Sequence, residues 1–200
     1  MVSTSRPKGV TEPSTRERIL NAAIALFAAR GPEITLETVA AEAGVSRQTV
    51  YVHFGSRSGL VLALVQHLDT RGPLPELIER VVDAPNALAA LDAVARLHAE
   101  YSPVAYPVAR VFTTSRQLDP ALQVAWGDRM AARRGLYGEV VERLAGEGRL
   151  AEPWTMETAT EVVFALTSWQ LWEQLTLDGG WSKQQYRSRL GVMLRRTLVR

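Results

Sequence analysis

The chain has 200 residues, 46% of them hydrophobic and 22% charged, which suits one mid-sized folded domain or a small module joined to a larger one. It contains no cysteine, which excludes disulfides, thiolate zinc sites and cysteine nucleophiles. No apolar run is long enough to span a bilayer, and residues 1–14 lack the apolar core of a secretory signal. We therefore expect a cytoplasmic protein without a membrane partner.

Charge is distributed unevenly along the chain. Residues 1–58 hold seven Lys/Arg against five Asp/Glu, residues 59–180 hold ten against sixteen, and residues 181–200 hold six against none. A nucleic-acid surface is therefore expected in the N-terminal part rather than in the acidic middle. The basic end is interpreted as a solvated last helix, because cations are favourable near a helix C-terminus; contact with nucleic acid is the alternative.

The first residues are polar and include prolines, so residues 1–13 are predicted to form a disordered or arm-like segment. Arg6 and Lys8 could reach DNA in the way that basic arms do. The segment Ser14-Thr15-Arg16-Glu17 is a capping box and predicts the start of a helix that ends before Gly31-Pro32.

Residues 35–54, TLETVAAEAGVSRQTVYVHF, predict two short helices joined by a tight turn. Thr35 and Ser46 are typical N-cap residues, and Gly44 suits the left-handed conformation that the turn requires. The second helix begins at Arg47 and carries polar groups in its first turn with apolar residues behind them, which suits insertion into the major groove of DNA. A helical hairpin inside an ordinary core is the alternative, although a core does not need so many polar side chains there.

The rest of the chain is predicted to be helical, because it shows no strand-like alternation and no internal repeat. Prolines are placed at helix starts, where their missing N–H costs little. Ser102-Pro103 and Pro107 predict a break between two helices. The predicted helices cover residues 56–71, a short segment from 75, and about 85–101, 108–117, 120–144, 155–177 and 183–198.

The capping-box helix, the motif T-x-x-x-V-A-x-x-A-G-V-S, the ending x-x-T-x-Y-x-H-F and the Ser-Arg start of the next helix resemble the TetR family of bacterial transcription regulators. The match covers about residues 14–68, and the remainder is similar in helix order. The resemblance implies an all-α homodimer, with an arm and three-helix helix-turn-helix DNA-binding domain at 1–58 and a helical effector-binding and dimerisation domain at 59–200. Helix 56–71 would link the two.

The resemblance also implies a function: a ligand-responsive repressor that binds a palindromic operator and is released by a small-molecule effector. The sequence does not decide between repression and activation. The alternative is a helical small-molecule-binding protein or enzyme without operator-specific DNA binding. That alternative would need a catalytic constellation, or a second hairpin helix stripped of polar groups.

Family positions place base contacts at Arg47, Gln48 and Thr49, which can bind guanine, adenine and a thymine methyl group respectively. Gly59 departs from the family pattern, which usually has a better helix former there, and we expect it either to loosen the link between the domains or to be harmless. The remaining DNA-binding candidates, which comprise the cap of the second hairpin helix and the phosphate-contact positions, are Thr35, Ser46, Tyr51, His53 and Arg57.

The three histidines are far apart in sequence and no paired carboxylates accompany them, so we expect no catalytic residue, no metal and no cofactor. Aromatic and polar-tipped side chains on several helices could line a mostly apolar ligand cavity, with simple core packing as the alternative for each. The acidic middle of the chain favours a neutral or cationic ligand. The candidate lining residues are His98, Tyr106, Phe112, Trp126, Met130, Phe164 and Trp169.

A dimer interface is expected from the resemblance near residues 131–144 and 158–177, as a four-helix bundle across a two-fold axis. A stripe of side chains at three-to-four spacing could supply this face, and a core stripe within one chain is the alternative. Its members are Ala165, Ser168, Leu171, Trp172 and Leu175.

Overall fold

A computed structural model describes residues 13–200, and within that range the regular elements are helices apart from one isolated β-bridge between Leu150 and Val199. The predicted all-α fold is confirmed, while Arg6 and Lys8 lie outside the described residues. No helix in this range has both the length and the apolar character needed to cross a bilayer. The elements are α1 (Thr15–Arg30), α2 (Leu36–Ala43), α3 (Arg47–Phe54), α4 (Arg57–Arg71), α5 (Leu74–Val82), α6 (Ala87–Ser115), α7 (Pro120–Gly146), α8 (Met156–Leu166), α9 (Trp169–Glu173), a π-helical segment (Gln174–Asp178) and α10 (Lys183–Leu198).

Helices α1 to α3 form a unit that begins with the predicted capping box. The Glu17 N–H donates to Ser14 Oγ at 3.2 Å, and the Ser14 N–H donates to the Glu17 carboxylate at 3.0 Å. The apolar face of α1, with Ile19, Leu20 and Phe27 buried, packs on α2. Helices as short as α2 and α3 are marginal alone, so their stability comes mainly from packing on α1 and α4.

Helix α4 belongs to two packed units at once. It contacts α1 and α3 on one side and α5, α6 and α7 on the other. Leu60, Val61, Leu64 and Leu68 are buried along its length. Because a close-packed interior transmits strain, a displacement of the C-terminal end of α4 acts on α3 as well.

Helix α6 runs through both prolines, so the predicted break at Pro103 and Pro107 is wrong. Each proline removes one backbone donor and costs helix stability locally. The helix nevertheless continues because Ser102, Ala105 and Tyr106 are buried between neighbouring helices on either side of the prolines. Packing over the whole length of α6 therefore outweighs the local preference for a break.

The predicted single helix over 155–177 is also wrong, because it is divided after α8. The Thr167 hydroxyl donates to the Val163 carbonyl at 2.8 Å, and the Leu171 N–H donates to Ser168 Oγ at 3.3 Å. Ser168 thus caps the new helix α9, which passes into the π-helical segment. A hydroxyl residue inside a helical pattern can end one helix and begin another, and here it does both.

Gly59 has a steric role at the start of α4 that the sequence did not predict. A Cβ atom at this position would lie 1.9 Å from the carbonyl oxygen of Phe54, which is closer than atoms can approach. The Gly59 N–H donates to Ser56 Oγ at 3.0 Å in the cap of α4. Glycine at this position therefore permits the tight connection between α3 and α4.

We predict that Gly59→Ala lowers the free energy of unfolding by about 1–3 kcal/mol, because relieving the overlap requires a backbone shift, even though alanine favours helices. Gly127→Ala in α7 is the matched control, since a Cβ there meets nothing within 4 Å. It should be neutral or stabilise by up to about 1 kcal/mol. Urea unfolding followed by circular dichroism measures both, and equal effects of the two substitutions would contradict the prediction.

Candidate nucleic-acid interface and interior cavity

The turn between α2 and α3 has the predicted caps. The Thr38 N–H donates to Thr35 Oγ1 at 3.2 Å, and the Thr49 N–H donates to Ser46 Oγ at 3.0 Å. Gly44 has φ 65° and ψ 38°, the left-handed conformation, and its N–H donates to carbonyls at the end of α2. The relative orientation of the two helices is therefore set by backbone and hydroxyl contacts within the turn.

Arg18 on α1 fastens this turn from outside, a role that the sequence did not predict. Its guanidinium donates to the carbonyl of Ala43 at 2.8 Å and to that of Gly44 at 3.4 Å. A hydrogen bond to a carbonyl leaves no signature in the partner's residue type, which is why the sequence pattern carried no signal for it. Arg18 positions α2 and α3 against α1.

Helix α3 has one buried and one exposed face. Val50 and Phe54 are buried against the rest of the unit. Tyr51 is 55% and Val52 is 73% exposed, which leaves both side chains free to contact another molecule. Val52 was not predicted as a contact residue, but an apolar side chain on this face can meet a thymine methyl group. Three further predicted contact residues, Arg47, Gln48 and His53, are also exposed.

Arg47, the first residue of α3, is held by one exposed ion pair. Arg47 Nε lies 2.8 Å from a carboxylate oxygen of Glu37, with both side chains more than half exposed. Hydrogen bonds from the Glu37 backbone N–H and the Thr35 hydroxyl, together with the charge of Arg47, hold the pKa of Glu37 below its ordinary value. Exposed pairs of this kind contribute little to stability, so Arg47 can exchange its partner readily. Arg57 donates to the carbonyl of Pro32, which holds the start of α4 on the loop before α2.

A cavity of about 560 Å³ lies in the helical unit that follows α4. Its wall is formed by residues of α4 to α7 and by Trp169 of α9, and it is mostly apolar. Such a volume and lining are typical of small-molecule sites. Five of the seven predicted lining residues are in its wall, namely His98, Phe112, Trp126, Met130 and Trp169.

Tyr106 and Phe164 do not line the cavity, so their assignment to its wall is corrected. The Tyr106 hydroxyl donates to Glu173. Burial, and to a smaller extent this hydrogen bond, raises the pKa of Tyr106 to about 12. Two guanidinium groups pack on the Phe164 ring, that of Arg133 at 4.6 Å and that of Arg134 at 4.0 Å from the ring centre. Both rings instead join neighbouring helices.

His98 is a buried member of the cavity wall, with 5% of its surface exposed. A hydrogen bond of 2.6 Å joins His98 Nε2 to the Tyr137 hydroxyl. Burial, and then the positive charge of Arg133, lower the pKa of His98 well below the ordinary value, so the ring is neutral at physiological pH.

The cavity wall also contains an ion pair that the sequence does not predict. Two guanidinium nitrogens of Arg129 on α7 contact the carboxylate of Asp69 on α4, one of them at 2.7 Å. The Tyr101 hydroxyl donates to the same carboxylate at 3.3 Å, and burial together with the charge of Asp69 raises the pKa of Tyr101. The pair joins residues 60 apart in the chain, which no spacing pattern could have indicated.

The predicted dimer stripe does not follow one helix face, because α8 ends at Leu166. Trp172 is buried within the single chain and packs on Tyr106, with ring centres 4.9 Å apart, so its surface is already covered. Leu171 and Leu175 are half-buried, Ser168 caps α9, and Ala165 is exposed. Trp172 is therefore corrected to a core residue, while the interface role of the other four stays a prediction.

The geometry of α1 to α3, with a capped turn and an exposed second helix, is that of a helix-turn-helix DNA-binding protein. The family profile "Bacterial regulatory proteins, tetR family" matches residues 19–64. The regulator TtgW of Pseudomonas putida is 40% identical over 95 residues, 45% of this chain and 70% of that protein. The transcriptional repressor Rv3405c of Mycobacterium tuberculosis is 33% identical over 129 residues, 60% of this chain and 68% of that protein.

Structural similarity extends over most of the chain. A transcriptional regulator from Saccharomonospora viridis, solved in complex with choline, has a TM-score of 0.78 at 19% identity and covers 92% of this chain and 97% of its own. The chain belongs to the TetR family, and it is a DNA-binding transcriptional regulator. Within residues 13–200, no group of three His, Asp or Glu side chains is arranged to hold a metal ion.

We predict that His98 makes stability depend on pH below about 6.5, the ordinary histidine value. Above that pH the ring is neutral in the folded and in the unfolded chain, so it does not change stability. Below it the unfolded chain binds a proton that the folded chain does not, so stability falls by up to about 1.4 kcal/mol per pH unit. His98→Gln should remove this component, and His53→Gln on the exposed face of α3 should keep it. Urea unfolding across this range measures the slope, and an unchanged slope in His98→Gln would disprove the assignment.

Proposed function

We propose that the protein is a ligand-responsive repressor that binds a palindromic operator as a homodimer and leaves it when a small molecule occupies the cavity. The observation that carries this proposal is the double role of α4. It packs on α1 and α3, and Val65, Leu68 and Asp69 in its second half line the cavity. A molecule in the cavity therefore touches the helix that supports the DNA-binding unit.

Arg47, Gln48 and Thr49 are the proposed base contacts, with guanine, adenine and a thymine methyl group as partners. Arg47 and Gln48 are exposed at the start of α3, where a helix in the major groove meets base edges. Phosphate contacts set the register of the protein on the duplex without specifying sequence. The proposed members of that second group, including the cap of α3, are Thr35, Ser46, Tyr51, His53 and Arg57.

The proposed mechanism is a shift between two populations. A ligand that binds more tightly to a state with different spacing between the two α3 helices draws the dimer away from the DNA-competent state, to the extent of that difference in affinity. A similarly folded regulator was solved in complex with choline, which supports a small-molecule effector for this protein. A helical carrier or enzyme without operator binding is not favoured, since the relatives are named transcriptional regulators.

The proposed division of the chain follows the sequence analysis, with a DNA-binding domain at 1–58 and an effector-binding and dimerisation domain at 59–200. Helix α4 crosses this boundary and packs on both sides of it. A cytoplasmic location is proposed with this function, because the operator is there.

We predict that Arg47→Ala weakens operator binding by about 1–3 kcal/mol and relaxes the preference at one base pair, because a bidentate base contact is lost. Tyr51→Phe should lower the affinity for all DNA sequences alike, because it removes a phosphate contact. Gel shifts on the DNA upstream of the gene, titrated against salt, measure both. Arg187→Ala in the basic α10 is the control, with binding expected to stay unchanged. Wild-type specificity in Arg47→Ala would refute the base-contact assignment.

We predict that the protein is a dimer in solution at micromolar concentration, because a two-fold operator requires two α3 helices about 34–36 Å apart. Light scattering coupled to size-exclusion chromatography measures the mass directly. A mass near the 22.0 kDa of one chain would remove both the dimer and the palindromic operator from the proposal.

A further inference from the structure

The cavity wall contains more positively charged than negatively charged side chains. Asp69 is the single acid among the lining residues, and Arg129 and Arg133 are the bases. His98 adds no charge, because its pKa is lowered well below the ordinary value. The cavity therefore has a surplus positive charge inside a mostly apolar wall, although residues 59–180 as a whole are acidic.

The cavity wall also has more unused hydrogen-bond donors than acceptors beside Asp69. Both oxygens of Asp69 are occupied, by two nitrogens of Arg129 and by the Tyr101 hydroxyl. A guanidinium carries five N–H donors, so Arg129 has donors beyond the two that Asp69 uses. Arg133 is committed differently: it donates to the Thr167 carbonyl at 3.0 Å and to the Thr167 hydroxyl at 3.2 Å. A carboxylate has about four acceptor sites, and these three hydrogen bonds leave one of them, so the unused polar capacity at the Asp69 end consists mainly of donors on Arg129.

We propose, on the basis of the effector role given to this cavity, that its ligand is an apolar molecule with one carboxylate head, and that the carboxylate binds Arg129 in competition with Asp69. Planar bidentate pairing is the geometry in which a guanidinium binds a carboxylate best. The apolar wall, with Phe112, Trp126 and Trp169, takes the body of the molecule. The local surplus of positive charge replaces the expectation of a neutral or cationic ligand, which the charge of the whole segment had suggested.

The same contact explains how the ligand acts on DNA binding. Asp69 is on α4, two residues before its end at Arg71, and Arg129 is on α7, so the ion pair ties the two helices together. Each side chain of the pair is only about three-tenths exposed, so water screens the attraction between the two charges less than in a surface ion pair. A bound carboxylate takes Arg129 and places a second negative charge beside Asp69, which favours separation of the end of α4 from α7.

A cationic ligand is the opposing possibility, because aromatic rings surround the cavity and can bind quaternary ammonium groups. Such a ligand would need to displace Arg129 from Asp69. The cavity would then hold three positive charges, those of Arg129, Arg133 and the ligand, beside the one acid Asp69. The charge balance therefore favours the carboxylate, and a cationic probe serves as the contrary test.

The test uses the whole chain and four probes: decanoate as an aliphatic acid, naphthoate as an aromatic acid, decanol as the uncharged counterpart and decyltrimethylammonium as the cation. Isothermal titration calorimetry measures binding to the protein alone, and fluorescence anisotropy of labelled operator measures release of DNA. Decanoate or naphthoate should bind about tenfold or more tightly than decanol, as a charge-assisted hydrogen bond implies. Comparison of the two acids distinguishes an aliphatic from an aromatic source.

Two pairs of variants locate the contact. Arg129→Gln should abolish the preference for decanoate over decanol, and Asp69→Asn should strengthen decanoate binding because Arg129 loses its competitor. Arg195→Gln and Asp92→Asn are matched controls, since Arg195 and Asp92 form a similar two-point ion pair between α10 and α6. Both controls should keep the wild-type preference for decanoate over decanol. Because the preference is a ratio of two affinities of the same variant, a general loss of stability affects both affinities and does not change the ratio.

The outcomes separate this proposal from the function on which it rests. Tighter binding of decanol or decyltrimethylammonium than of either acid, or no binding of any probe, would overturn the carboxylate assignment. An unchanged preference in Arg129→Gln would also overturn it. Arg129-dependent binding of an acid without DNA release would uphold the ligand class and refute the effector role. Release of DNA by the cation, and not by either acid, would refute the carboxylate ligand class and uphold the effector role of the cavity.

Discussion

The packing of α4 is the constraint on which the rest of the structure depends. One helix of 15 residues supplies apolar side chains to the DNA-binding unit and to the wall of the cavity. Its start is joined to α3 so tightly that a side chain at Gly59 would overlap the backbone of Phe54. Because α4 cannot bend away from α3 without losing this junction, it is the helix through which we propose that changes at its far end reach the DNA-binding unit.

The two ion pairs of Arg47 and Arg129 show how the surroundings decide what a charged group does. Arg47 and Glu37 are exposed, so water competes for both partners and the pair is easily exchanged. Arg129 and Asp69 lie in an apolar wall with most of their surface covered, where a change of partner has larger consequences. The first arrangement suits the DNA contact proposed for Arg47, and the second suits the ligand response proposed for Arg129.

Features that depend on a few neighbouring residues were predicted well. The caps at Ser14, Thr35 and Ser46, and the left-handed turn at Gly44, require only hydroxyl groups and glycine at the right spacing. The continuity of α6 was not predicted, because the prolines weaken the helix locally while contacts from distant helices retain it. Tyr106 and Phe164 were misplaced for a similar reason, since amphipathic spacing does not tell a cavity wall from a helix contact.

The sequence by itself determined an all-α chain with a helix-turn-helix unit at its N-terminus, because capping, turn and apolar periodicity are local properties. It also determined that Arg47, Gln48 and Thr49 begin the exposed second helix of that unit. Only the tertiary structure decided which aromatic side chains enclose a cavity and which charges meet inside it. Asp69 and Arg129 belong to helices far apart in the chain, and the pairing that follows from packing α4 on α7 sets the local charge of the cavity.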